Sequence, residues 1–137
     1  MFRKMALDFG DARIGIALSD PMAMIVSEQS TYHRKGLKAD IAHIVGLVET
    51  RKVDTIVIGL PINMDGTKGP RVDKTYAFGE ELAKATTAKI EYVDERLTTV
   101  AAEKMLIAAD VRREKRREVI DAVSANIILQ SYLDAHS

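Results

Sequence analysis

Two hydrophobic periods alternate along the chain. Met5–Phe9 is short and apolar, and Arg13–Ser19 alternates until Asp20-Pro21. Both read as β-strands, with Gly10-Asp11-Ala12 as a tight, hairpin-like turn between them. Ser27–His33 is a third candidate strand. Leu37, Ile41, Ile44, Val45 and Val48 then recur at helical spacing within Leu37–Thr50. Thr55-Ile56-Val57-Ile58 is β-branched throughout and bounded by Asp54 and Gly59-Leu60-Pro61, which suits a strand buried on both faces. Ile62–Arg71 carries Asn63, Asp65, Gly66, Gly69 and Pro70 and reads as a loop. A helix is expected over Val72–Ala85 and a strand over Lys89–Val93. Thr98 or Thr99 can cap a further helix running to about Ala109. The last helix, about Val119–Ala135, is apolar over a wide arc through Val123, Ile127, Ile128, Leu129, Tyr132 and Leu133. Antiparallel strands followed by alternating helix and strand predict one α/β domain over residues 1–137, a mixed sheet with helices on its faces.

Composition narrows the function. A chain of 137 residues can bury roughly two-thirds of the surface it exposes when unfolded, so an ordinary core can hold it together. It has no cysteine, which excludes a disulfide scaffold, a thiolate zinc site and a cysteine nucleophile. The histidines His33, His43 and His136 are scattered, which argues against a histidine metal cluster. No apolar run approaches the roughly 20 residues of a membrane span, and Met1-Phe2-Arg3-Lys4-Met5 does not open a signal peptide. A cytoplasmic protein without a membrane partner is expected. Twenty basic residues balance twenty acidic ones, which argues against a general polyanion binder but leaves local patches open.

Three acids stand out. Asp8 closes an apolar strand, where burying an unpaired carboxylate would cost several kcal/mol; the plainer alternative is a turn-forming Asp ahead of Gly10. Glu95 follows a strand and neighbours Asp94 and Arg96, so a surface ion pair with Arg96 competes with a functional role. Asp121 shares a helical stripe with Ala125, Ile128 and Tyr132 and so faces the body of the protein, unless it is an acid favoured by the helix N-terminus. Strand ends in open α/β sheets converge on one crevice. Carboxylates gathered there repel, by about 4 kcal/mol for a pair about 4 Å apart at an effective dielectric of 20. Such a cluster raises a pKa or binds a cation. An all-oxygen donor set favours Mg²⁺ or Mn²⁺, and such ions support phosphodiester hydrolysis.

The stretch Arg112-Arg113-Glu114-Lys115-Arg116-Arg117 precedes Asp121. It is either a solvated basic face or a contact for a phosphate backbone. Arg13 and Arg71 flank other loops near strand ends. Gly66-Thr67-Lys68-Gly69-Pro70 lacks the Gly-Lys-Ser/Thr of a phosphate-binding loop and reads as a flexible loop. Aromatic stacking platforms have little support in Phe2, Phe9, Phe78 and four tyrosines.

Four blocks resemble the YqgF/RuvX family, in that family's order. They are Leu7-Asp8-Phe9-Gly10-Asp11-Ala12-Arg13-Ile14-Gly15-Ile16-Ala17; Val57-Ile58-Gly59-Leu60-Pro61; Val93-Asp94-Glu95-Arg96-Leu97-Thr98-Thr99; and Asp121-Ala122-Val123-Ser124-Ala125 with Ile128-Leu129-Gln130-Ser131-Tyr132-Leu133-Asp134. Together they are spread along nearly the whole chain. The resemblance implies a ribonuclease H-like fold with a mixed five-stranded sheet flanked by helices, related to the Holliday-junction resolvase RuvC. It implies a cytoplasmic nuclease acting in 5′-end maturation of pre-16S rRNA. It assigns Asp8, Glu95 and Asp121 as catalytic acids holding Mg²⁺ or Mn²⁺, with Asp94 as the fallback at the second position. Arg13, Asn63, Arg71, Arg96 and Lys115 match polar or basic positions in or beside the motifs and are candidate substrate contacts. Ser124 stands where alanine is common and should leave the helix intact.

The expected partner is nucleic acid, a structured RNA or a branched DNA. A homodimer would suit symmetric junction cutting, and a monomer RNA processing. Asp8-Phe9-Gly10 followed by Gly15 also resembles the first phosphate loop of actin-like ATPases, but 137 residues cannot supply their second lobe. A receiver domain needs an acceptor Asp that Val57-Ile58-Gly59-Leu60 does not offer. A module that keeps the fold and binds nucleic acid without turnover is the remaining alternative.

Overall fold

Alternation along the first two strands sorts their side chains onto two faces, and the helices pack according to that sorting. In the computed structural model, which describes residues 2–63, 65–97, 109–110 and 116–136, β1 (Arg3–Phe9) and β2 (Arg13–Ser19) form an antiparallel hairpin. Gly10 closes it by donating its amide to the Arg13 carbonyl at 2.9 Å. β3 (Val26–His33) pairs antiparallel with β2. The chain crosses through α1 (Leu37–Arg51) to β4 (Val53–Leu60), parallel to β1 on its other side. It crosses again through α2 (Pro70–Ala85) to β5 (Lys89–Asp94), parallel to β4. A 3₁₀ turn (Glu95–Leu97) follows β5, and α3 (Arg116–Ala135) is the last described helix. The sheet order is β3-β2-β1-β4-β5, the mixed five-stranded sheet the sequence predicts.

One face of the sheet presents large side chains. Met5, Leu7, Ile14, Ile16, Ile56 and Ile58 pack with Ile44 and Val48 of α1 and Phe78 and Leu82 of α2. The other face presents small ones: Ala6, Ala17 and Val57 meet Ala125, Ile128, Leu129 and Leu133 of α3. Small residues let α3 lie close against the strands. Its register along β3 is set by polar ties. Thr31 Oγ1 donates to the Glu118 carbonyl, His33 Nε2 pairs with Glu118 Oε1 at 2.5 Å, and Asn126 Nδ2 donates to Gln29 Oε1 at 2.6 Å. Buried Ser124 satisfies its hydroxyl on the Ile120 carbonyl at 2.6 Å, as serines within helices commonly do.

Several boundaries differ from expectation. β4 extends in both directions past Thr55–Ile58, taking in Asp54 and Gly59, because it is hydrogen-bonded on both sides. α2 begins at Pro70, where proline's fixed φ suits the first helical turn, so Arg71 is helical. α3 begins three residues early, at Arg116. Leu37 is exposed, and the buried residue of that first turn is Asp40. Burial alone would push the Asp40 carboxyl up. The Lys35 amide (2.9 Å), the Arg34 guanidinium (2.8 Å) and the Tyr32 hydroxyl outweigh it and hold the group below the ordinary aspartate value. The helix expected from Thr98 or Thr99 lies outside the described residues except at its end, as do Arg112, Arg113 and Lys115. Among the described residues, no helix is long and apolar enough to cross a membrane.

Candidate active site

Asp8 shares the parity of Ala6 on β1 and therefore projects toward α3. Across the antiparallel ladder it faces Gly15. On its other side the parallel register pairs Leu7 with Ile58, and one further step sets Gly59 beside Asp8. Asp8 thus stands between two glycines in a row across three strands, each about 4.8 Å from the next. The glycines make room for what lies above them. A Cβ at Gly15 would come within 1.9 Å of the Asp121 carbonyl oxygen, so the α3 backbone rests on β2 at that point. A Cβ at Gly59 would lie 2.8 Å from Glu95 Oε1 and 2.6 Å from Ile128 Cδ1. Asp121 sits over one glycine and Glu95 over the other, with Asp8 between them.

Each acid resolves the ambiguity of its sequence context. Asp8 lies within β1 rather than in the turn. Asp121 lies beyond the first turn of α3, and its Oδ2 accepts from Arg13 Nε at 2.7 Å, the two side chains being only 20% and 23% exposed. Glu95 Oε1 is buried. Arg96 pairs with Asp94 instead, through contacts of 2.8 to 3.2 Å. That guanidinium, with the Arg96 amide, holds the Asp94 carboxyl below the usual aspartate range despite its burial. The fallback acid is therefore a clamp on the turn after β5.

The three predicted acids are neighbours on one face, but they do not converge into a ligand cage. Among the described residues, no three acid or histidine side chains lie close enough together to hold a metal ion. The Asp121 carboxylate is turned to Arg13.

The candidate substrate contacts are dispersed around this end of the sheet. Arg71, exposed in the first turn of α2, lines a small cleft with Phe9, Gly10, Asp11 and Lys74. Arg96 reaches toward the loop before α2, where its Nη1 lies 3.5 Å from the Cβ position of Gly66. Asn63 closes that loop on itself, bonding Thr67 through both side chain (2.9 Å) and backbone (3.0 Å). Lys115 lies outside the described residues.

Sequence reasoning passed over the two glycines, which glycine within a strand does signal as places of close approach. It also passed over an aromatic cluster on the opposite face. Phe9 stacks on Phe78 with centroids 4.4 Å apart, and the Arg34 guanidinium covers its ring at 4.6 Å. This cluster borders a cavity of about 540 Å³ that contains none of the three acids.

Comparison with known proteins gives the family and the fold. The family described as "RuvX: Holliday junction resolvase" matches residues 2–135. Two relatives bear the description "Putative pre-16S rRNA nuclease". One, from Halothermothrix orenii, is 48% identical over 132 residues, covering 96% of this chain and 94% of the relative. The other, from Heliobacterium modesticaldum, is 48% identical over 133 residues, covering 97% and 89%. Among solved structures, Thermus thermophilus RuvC in complex with a Holliday-junction substrate superposes with a TM-score of 0.64 at 10% identity, covering 99% of this chain and 96% of that one. The Fowlpox virus resolvase bound to Holliday-junction DNA gives 0.55 at 11% identity, covering 98% and 99%. These likenesses identify the fold as ribonuclease H-like.

Proposed function

Because the chain belongs to the RuvX family, we propose that it is a metal-dependent nuclease that hydrolyses phosphodiester bonds in the 5′-end maturation of pre-16S rRNA. Residues 1–137 act as one ribonuclease H-like domain. The observation that carries this reading is the row Gly15–Asp8–Gly59, with Asp121 and Glu95 above its two glycines.

The donor set fits a hard divalent ion. It is made of carboxylates, with Glu95 Oε1 over Gly59 and the backbone carbonyl of Asp121 seated on Gly15, both where a Cβ would intrude. Asp8, Glu95 and Asp121 would hold Mg²⁺ or Mn²⁺, which when bound supplies Lewis acidity toward a phosphoryl oxygen. The protein's own contribution is positional. Asp8 is fixed by ladder pairing within β1, and Asp121 by the seating of α3 on Gly15. Arg13, Arg71 and Arg96 offer guanidinium groups to backbone phosphates, for which their planar, two-pronged geometry is suited. Asn63 holds the loop before α2 in shape beside them.

Wild type and Asp8→Asn are to be compared with Mg²⁺ or Mn²⁺ on a precursor 16S transcript and on a synthetic four-way DNA junction. Cleavage of the transcript by wild type alone supports the reading. Cleavage of the junction alone replaces the rRNA substrate with the DNA junction of the family's description. Full activity of Asp8→Asn on every substrate removes the mechanism.

A further inference from the structure

Two features of the site pull in different directions. The Gly15–Asp8–Gly59 row brings the backbone of Asp121 next to Asp8, yet the Asp121 carboxylate is engaged by Arg13 at 2.7 Å. The backbone there has little freedom, because the Asp121 carbonyl already rests on Gly15. Two ties from Glu118 to β3 hold the preceding turn. The direction of the carboxylate is set by the side-chain torsion. The carboxylate can face Arg13 or face the row. Facing Arg13, its charge is balanced by the guanidinium. Facing the row, it joins carboxylates that repel it unless a cation is present.

Arg13 itself lies at a rim that carries further basic residues. It begins β2 directly after the Gly10-Asp11-Ala12 turn, whose far side meets Arg71 and Lys74. A phosphate diester approaching this rim offers the guanidinium an alternative anion with matching geometry.

We infer that Arg13 is a positioning residue that holds the Asp121 carboxylate in reserve and releases it toward Asp8 and Glu95 when a substrate phosphate takes the guanidinium. The metal-holding set is then completed by nucleic acid rather than standing complete beforehand. Phosphate and divalent cation thereby bind with positive coupling, and by linkage each raises the affinity of the other by the same factor. This inference rests on the nuclease reading above.

The test is calorimetric titration of Mn²⁺ into the full chain, with and without a saturating 2′-O-methyl RNA hairpin that resists cleavage. For wild type, the hairpin should tighten Mn²⁺ binding at least tenfold, within the usual span of coupling between sites. Arg13→Gln without RNA should bind Mn²⁺ at least tenfold more tightly than wild type, and the hairpin should change its affinity less than threefold. A merely structural role for Arg13 would weaken metal binding in that variant. Equal or weaker Mn²⁺ binding by folded Arg13→Gln, or no effect of the hairpin on wild type, overturns the inference while leaving the nuclease reading in place. Should Arg13→Gln fail to fold by circular dichroism, Arg13→Met, which keeps the aliphatic stem and removes the guanidinium, takes its place with the same tenfold gain required. A wild type that binds neither Mn²⁺ nor hairpin overturns both.

Discussion

The Asp121 carbonyl oxygen occupies the place where a side chain on Gly15 would begin, 1.9 Å from the ideal Cβ position. Backbone cannot yield there as a flexible side chain would, so the smallest substitution moves the helix. Gly15→Ala is expected to cost about 3 kcal/mol, at the upper end for overpacking, and to lift the start of α3 from β2. Urea unfolding gives the first quantity. Loss of cleavage in the protein that remains folded gives the second. Wild-type stability and activity in Gly15→Ala would show that the close approach is not needed.

Gly59→Ala meets side chains instead, Ile128 Cδ1 at 2.6 Å and Glu95 Oε1 at 2.8 Å. Both can turn aside, so the expected loss of stability is smaller, about 1 kcal/mol, while activity falls because Glu95 is displaced. Stability and kcat measured on one preparation separate the effects. A stability loss as large as that of Gly15→Ala contradicts this account.

Asp40 links fold stability to pH. Its folded pKa lies below the ordinary value of 3.8, so it contributes stability above that value, and the contribution is lost as pH falls through the folded pKa. Asp40→Asn leaves the Arg34 guanidinium without its anion and should cost about 3 kcal/mol at neutral pH. The difference between variant and wild type should shrink on acidification. Denaturant midpoints from neutral pH to about pH 2 test this, and a pH-independent difference contradicts it.

Tyr132 and Glu91 form a second titratable link. Desolvation and the hydrogen bond to Glu91 push the Tyr132 hydroxyl up to about 12. A raised pKa contributes stability that is present below the unfolded value, near 10, and is lost as pH rises through the folded one. Ultraviolet titration of the phenolates should show one late ionisation near 12 that is absent from Tyr132→Phe. An unchanged titration curve in that variant assigns the late step to another tyrosine.

The basic stretch Arg112–Arg117, whose last two arginines open α3, gives a prediction from its sequence. Neutralising Arg112, Arg113, Arg116 and Arg117 together should weaken nucleic-acid binding. If each contacts a phosphate, the slope of log K against log salt should also fall by about 3. An unchanged slope identifies the run as solvated surface.

Much of the candidate site was legible because carboxylates at strand ends, or on the apolar stripe of a helix, conflict with the context that places them there. Asp8, Glu95 and Asp121 could be selected one at a time on that ground. Their spacing could not. It depends on a glycine on each neighbouring strand, and on an ion pair between Arg13 and Asp121, 108 positions apart. Asp40 escaped notice for a related reason. An acid in the first turn of a helix is ordinary, and its buried anchor comes from Arg34, in a non-helical segment whose direction local pattern does not specify. Element limits shifted where tertiary pairing overrode composition, as at Gly59 within β4 and Pro70 at the head of α2.

Adjacent residues of a strand point to opposite faces, so Asp8 inherits its footing from Phe9. The Phe9 ring is held between Phe78 and the Arg34 guanidinium, and Arg34 is moored in turn to buried Asp40. Displacing the carboxylate by strand slippage or twist would first have to unseat that stack. The end of β1 that carries Asp8 is thereby braced from behind: the compliance of the carboxylate is set by an aromatic anchor on the other face of the sheet. Loosening the anchor would blur the acid's position without altering any atom on its own side.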